Sequence, residues 1–237
     1  MLGQMPLLHP VRDTHLPRAL RLIRTVGVRK LVRLALHRAW SSTVSFGLRA
    51  DLDRLPEVRP ASIPVCMEAR DTTSFSGFED ELDRVSGRVA LVQRQSLCDA
   101  GVQTLYVAVD DGGEPIYAQW LVRSNEQEAL HRATHGLFPQ LGEGEALVEG
   151  AYTFVNFRRL GAMTDGMRQL LVRARDSGDR TVFTYVPEGN VPSLRGCASV
   201  GFVPDHLRLD TRRLGLRRIR RVPLEASSKE SWAATVE

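Results

Sequence analysis

The chain has only three cysteines in 237 residues, Cys66, Cys98 and Cys197. They are too few and too scattered for a disulfide framework or a zinc site, so reduced thiols and no metal are expected. No apolar run approaches the roughly 18 residues that a membrane-spanning helix needs. The N-terminal apolar stretches are short, broken by arginine and followed by no small-residue cleavage site, so a secretory signal is not expected. Those absences point to a cytoplasmic protein. One further absence concerns charge: no acidic residue occurs between Asp13 and Asp51.

Composition is otherwise that of a cored globular protein, with 43% hydrophobic and 25% charged residues. The net charge of +4 is unevenly spread. Residues 1–60 carry +7 and residues 212–237 carry +4, so the body between them carries −7. Residues 14–40 show two apolar stripes at helical spacing, Leu16/Leu20/Ile23 and Leu31/Val32/Ala35/Ala39, with arginines off the stripe. They predict a basic amphipathic helical extension, ended by a linker over Leu55–Pro60. Such an extension suits packing on the body or in a homodimer. It also suits an anionic partner, either a membrane surface that would make the protein peripheral or an acidic acyl carrier protein. Nucleic acid is not expected, because no recognition motif accompanies the arginines. The organisation read from sequence is therefore an extension over 1–60, a body over 61–215, and an Arg-rich then Ser/Glu-rich tail over 216–237 expected to fray.

Within the body, strands are expected at Ile63–Ala69, Thr104–Val109, Pro115–Val122, Ala146–Val155, Thr181–Val186 and Phe202–Asp210. Asp110-Asp-Gly-Gly-Glu114 is a hairpin turn signal. Helices are expected over Ser74–Val85, from Asn125 to Leu137, Met163–Ser177 and Ser193–Val200, while Arg88–Gln95 fits either state. Hairpins first and strand–helix–strand units later imply an α+β fold around a mixed sheet.

Two segments carry chemistry. In the first, strand 146–155 runs into Arg158-Arg159-Leu160-Gly161-Ala162-Met163 and then a helix. A loop entering a helix presents backbone N–H groups without intrahelical partners, and the helix dipole favours an anion there. In the second, Asn190, Ser193, Arg195, Gly201 and Phe202 bracket a short helix that follows strand 181–186. Together these segments resemble the GNAT superfamily of coenzyme A-dependent N-acyltransferases. Its pyrophosphate loop reads Arg or Gln, two residues, Gly, one residue, Gly or Ala. Here Arg158 and Gly161 match and Met163 departs. The second segment matches the superfamily's Asn, Ser, Arg and Gly-Phe spacing at every place. The resemblance spans residues 63–211 and implies a mostly antiparallel mixed central sheet flanked by helices.

The resemblance further implies acyl transfer from acetyl-coenzyme A, without a metal, to a small-molecule primary amine. It implies that Tyr152, Thr153 and Phe154 lie beside the thioester, that residues 158–163 hold the diphosphate, and that Asn190 and Ser193 (the latter as helix cap) flank the pantetheine arm. A general base must neutralise the amine. Glu149 is the candidate, placed by strand alternation on the same side as Thr153; Glu145 is the second choice. Cys197 stands where the superfamily often has a tyrosine acid, and is the candidate proton donor to the leaving thiolate, with Ser199 and Tyr185 as substitutes. His131 and His135, four apart, would share a helix face but lack a third ligand. Two other readings follow from the same residues: transfer involving a carrier-borne or lipid-borne substrate held by the basic flanks, and an inert coenzyme A-binding protein.

Overall fold

The computed structural model describes residues 40–73, 75–78, 81, 94–95, 97–214 and 216–236. The expected helices over 14–40 lie outside the described residues apart from Trp40, as does most of 74–85. The chain divides into two compact units, residues 43–209 with 219–237, and residues 1–42 with 210–218. In the smaller unit Arg217 pairs with Asp210 at 2.7 Å.

Eight strands form one sheet. They are β1 (Trp40–Asp51), β2 (Glu68–Arg70), β3 (Leu105–Val109), β4 (Pro115–Arg123), β5 (Glu145–Thr153), β6 (Thr181–Pro187), β7 (Val203–Arg213) and β8 (Leu216–Pro223). Their order across the sheet is β2-β3-β4-β5-β6-β1-β7-β8. The β2–β3, β3–β4, β4–β5 and β1–β6 pairs are antiparallel, and β5–β6 is parallel. Among the described residues it is accompanied by helices α1 (Gln127–Thr134), α2 (Ala162–Asp176), α3 (Val191–Ser199) and α4 (Ala226–Val236). Helix α2 supplies the crossover that a parallel pair requires.

Two expectations change here. Residues 40–51, read as part of the helical extension and its linker, form an interior strand. Phe46, Leu48 and Ala50 alternate as buried residues at 1%, 0% and 0% exposure, the period-2 pattern of a strand. Gly47 lies on the opposite face and is small for a tertiary reason: the His206 ring would lie 2.5 Å from a Cβ there. The tail does not fray either. It forms β8 and α4, and α4 buries Trp232 edge-on against Phe46 with ring centroids 5.5 Å apart. Arg195 Nε donates to the Thr235 carbonyl at 2.8 Å, tying α3 to α4. An anchor residue decides a terminus more than its composition does.

Strand β2 is shorter than expected because residues 61–67 run along α2 instead of a strand. Gln169 imitates a strand edge there: its Oε1 accepts from Met67 N at 3.0 Å and its Nε2 donates to the Val65 carbonyl at 2.7 Å. Ala61 N adds a bond to Asp165 Oδ2 at 3.0 Å.

Side chains of alternate parity build a core on each face of the sheet. One core gathers Leu48, Val148, Leu170, Leu171 and Phe202 with α2, α3 and α4. The other gathers Phe78, Trp120, Leu130, Phe138 and Tyr185. Gly166 lets α2 approach β4, since a Cβ there would lie 2.6 Å from Tyr117 Cδ1. Alanine is favoured over glycine in a helix by about 1 kcal/mol, but overpacking costs about 1–3 kcal/mol. Gly166→Ala is therefore expected to lower the urea midpoint. Trp232→Ala is expected to cost about 3–5 kcal/mol, and an unchanged midpoint would show that α4 is not part of the folded unit.

Candidate active site

The site begins with a failure of backbone pairing. Strands β5 and β6 pair only over Glu145–Leu147 and Thr181–Phe183. From Val148 onward the β6-facing edge of β5 lies outside that ladder. A second irregularity coincides with it on the opposite edge. Trp120 faces Glu149 and Ala118 faces Tyr152, so Gly150 and Ala151 stand together against Gln119. One extra residue in one strand is a β-bulge. Gly150 takes φ +68°, and a Cβ there would lie 2.6 Å from the Trp120 ring. Only glycine suits both demands.

The bulge reverses the parity read from the sequence. Tyr117 faces Thr153 and lies in the α2–α3 core, whereas Trp120 faces Glu149 and lies in the opposite core. Glu149 and Thr153 therefore face opposite sides of the sheet, because the alternation rule counts no extra residue. Glu149 shares its face with Tyr152 and Phe154 instead. Burial pushes its carboxyl pKa up, partly offset by the Arg208 and Arg94 charges and by the Gly150 amide. Arg208 is itself buried, with its guanidinium 4.3 Å over the Tyr185 ring and 5.4 Å over Phe138. A half-buried carboxylate whose pKa is raised is a stronger base than an ordinary carboxylate.

The three residues assigned to the thioester separate. Tyr152 packs edge-on to Phe78 and Phe154, and its hydroxyl donates to Glu81 at 3.2 Å. The Phe154 amide is not free for a ligand, since it donates to the Ile116 carbonyl at 3.0 Å. By alternation along the strand the Thr153 amide points the other way, toward the parted edge. Thr153 is thus the one of the three whose backbone suits a carbonyl ligand.

Beyond β5, Arg158 folds back, donating from Nε to the Thr153 carbonyl at 3.2 Å and from Nη2 to the Tyr152 hydroxyl at 3.2 Å. Arg159 and Gly161 both adopt positive φ, +66° and +85°, and Gly161 precedes α2 with no side-chain cap. The tight turn leaves the first amides of α2, at Ala162, Met163 and Thr164, for an anion. One side of the turn is braced by Ser62, whose N donates to the Leu160 carbonyl at 2.9 Å. A Cβ on Gly161 would meet Ala61 Cα at 3.0 Å. Met163 does not turn toward that brace. Its Cε lies 3.1 Å from the position a Gly196 Cβ would take, so its bulk goes into the α2–α3 contact.

Asn190, not Ser193, occupies the cap position of α3, and no side-chain cap bond forms there. Helix α3 starts two residues earlier than expected because Pro192 suits the first turn. Cys197 is corrected as a candidate acid. It is 1% exposed in the α2–α3 core and burial pushes its pKa up to about 12, so it neither reaches the cleft nor gives up a proton readily. His131 and His135 do not share a helix face: α1 ends at Thr134 and His135 closes it in a left-handed conformation. No cluster of three or more metal-ligating side chains occurs among the described residues, and no described helix is long and apolar enough to cross a membrane. The sequence reading missed Arg94, Arg208 and Glu81. The one available signal was Arg208 between Leu207 and Leu209, a charge inside an otherwise ordinary strand.

No family model and no curated protein matches the chain. Solved structures do. The GCN5-related glucosamine N-acetyltransferase region of a fungal multi-domain GH3 β-N-acetylglucosaminidase matches with TM-score 0.55 at 15% identity, over 76% of this chain and 22% of that one. A Drosophila protein matches with TM-score 0.50 at 12% identity, over 79% and 57%. A GNAT-family acetyltransferase from Colwellia psychrerythraea matches with TM-score 0.49 at 15% identity, over 84% and 63%. The chain spans less than two thirds of the length of each. At these identities the likeness is one of fold.

Two outcomes follow from the geometry. Gly150→Ala is expected to destabilise the protein by about 1–3 kcal/mol, because it sets an L side chain at positive φ against a core ring; the urea midpoint reads it. Cys197 is expected to resist a thiol-specific chromogenic reagent in the native protein and to react on denaturation, whereas the exposed Cys66 reacts at once.

Proposed function

We propose that this chain, which has the fold of the GCN5-related N-acetyltransferases, is an acyl-coenzyme A-dependent N-acyltransferase. Acetyl-coenzyme A is the donor and a small primary amine the acceptor. The observation that carries the reading is the coincidence, on one strand, of the parted edge with the bulge beside Glu149. The uncapped, glycine-started N-terminus of α2 follows that strand after a single tight turn. The acetyltransferase activity named for the fungal region agrees with it.

The residues fit such a donor. Gly161 takes a conformation suited to glycine, the α2 amides are uncapped, and Arg158 and Arg159 lie exposed beside them. When bound, acetyl-coenzyme A supplies an activated acyl thioester. The α2 amides and the two arginines hold its diphosphate. The Thr153 amide donates to the thioester oxygen and stabilises the charge that develops there. Glu149 takes a proton from the attacking amine. The new C–N bond forms as the C–S bond breaks, and the electron pair leaves with sulfur. With Cys197 buried, the thiolate departs without a proton from that residue; ordinary thiols ionise near 8.5, so this is an accessible leaving group.

Calorimetry with acetyl-coenzyme A tests the donor; no heat at tens of micromolar protein would remove the reading. Thiol release over a panel of primary amines, including glucosamine, tests the reaction, and no turnover with any of them would favour an inert binder. Glu149→Gln is expected to lower kcat by about 100-fold or more with donor affinity unchanged.

The pH profile follows from the sign of the Glu149 shift. A base must be deprotonated, so kcat/KM falls as pH drops through an apparent pKa above the ordinary carboxylate range, and Glu149→Gln removes that limb. Stability runs the other way. A carboxyl whose folded pKa is raised loses stability as pH rises from its unfolded to its folded value. Glu149→Gln is therefore expected to raise the melting temperature at pH 8 relative to wild type.

A further inference from the structure

We propose that Arg94 is a positioning residue that holds the β5 bulge in shape and so sets Glu149 and Thr153 on opposite faces of the sheet. Its Nε donates to the Gly150 carbonyl at 2.7 Å and its Nη2 donates to the Ala151 carbonyl. Those carbonyls belong to the two residues that crowd against Gln119. A bulge takes backbone groups out of the regular ladder, and a carbonyl withdrawn from water needs another donor. The planar guanidinium supplies two donors at fixed spacing, which matches two adjacent carbonyls at once.

Arg94 reaches further along the same strand. Its guanidinium lies 5.0 Å over the Tyr152 ring, and its charge acts on Glu149. One side chain thus touches, through backbone, ring or charge, every residue from Glu149 to Tyr152. The contact is non-local, spanning 56 residues between Arg94 and Gly150. Its consequence is geometric. Without the bulge, β5 would pair regularly with β4, and a one-residue change of register exchanges the two faces of a strand. Glu149 and Thr153 would then share a face of the sheet instead of lying on opposite ones. The catalytic meaning of the brace rests on the function proposed above; the brace itself does not.

Arg94→Lys keeps the charge and removes the fork, and Arg94→Met removes both. Backbone hydrogen exchange and a carbon-13 NMR titration of the Glu149 carboxyl are measured on the full-length protein without substrate. Both variants are expected to speed exchange at residues 149–153 by about tenfold or more while β3 and β6 hold their protection. Arg94→Met raises the Glu149 midpoint, because a cation favouring the carboxylate is gone, and Arg94→Lys raises it less. The groups that face this carboxyl are Arg94, Arg208 and the Gly150 amide, so Arg208→Met serves as the comparison that moves the midpoint without loosening 149–153. Acetyl-coenzyme A is then added: it slows exchange over 148–153 in wild type, but less in Arg94→Lys at a dissociation constant within about threefold of wild type. Should Arg94→Met fail to fold, Arg94→Lys carries the test alone. Unchanged exchange at 149–153 in Arg94→Lys, or a rise spread evenly over the sheet, overturns the brace. Equal ligand protection in wild type and Arg94→Lys overturns its role in positioning. Absence of any acetyl-coenzyme A binding to wild type overturns the functional reading instead, and the exchange result without ligand still decides the brace.

Discussion

The parting of β5 from β6 after three paired residues is the constraint from which the site follows. A sheet normally satisfies every backbone donor and acceptor of its interior strands. Here that rule is suspended in the middle of an eight-stranded sheet, and the surrounding structure absorbs the cost. Strand β1 closes the far side of β6 with seven paired residues, from Ser45–Pro187 to Asp51–Thr181. Strand β4 holds the near side of β5 on both sides of the bulge. With both strands anchored on their outer edges, the inner edges can stay apart.

The same arrangement explains why the polar groups of the site are themselves so deeply set. Glu149, Arg208 and Tyr185 lie on the face of the sheet that packs Trp120 and Phe138. A buried charge is tolerated only when paired and bonded. The Arg208 and Arg94 charges act on the Glu149 carboxyl and the Gly150 amide bonds it, while burial still leaves it with a raised pKa. The opposite face, with α2, α3 and α4, gathers the larger apolar cluster. A thiol set there, as at Cys197, becomes packing. The two faces thus divide the labour, with the helical face shaping the turn at Gly161 and the aromatic face holding the titrating groups.

Much of this was legible in the chain. The α+β order, the Asp110–Glu114 hairpin, the Arg158–Gly161 turn into α2 and the Gly201 turn after α3 all rest on local rules, and local rules are what a sequence displays. The strand over 40–51 was not read. Its alternation of Phe46, Leu48 and Ala50 is short and follows a basic stretch read as helical, and Gly47 on its other face is explained only by the His206 ring some 160 residues away. The tail was misjudged because its composition is polar, while its fate hangs on one anchor, Trp232. Glu149 was placed on its strand but set on the wrong face, since no alternation rule can count a bulge residue it does not see.

The chain by itself determined which segments are strands and helices in most of the body, where the tight Arg158–Gly161 turn into α2 falls, and which residue types stand near it. Tertiary structure alone decided which side of the sheet Glu149 faces, that Cys197 is buried, that Met163 fills the gap over Gly196, and that Arg94 and Arg208 join the site. The physical reason is range. Helix, turn and strand signals are carried by neighbours a few residues apart, whereas register, bulge and burial are settled by partners that meet only when the sheet assembles.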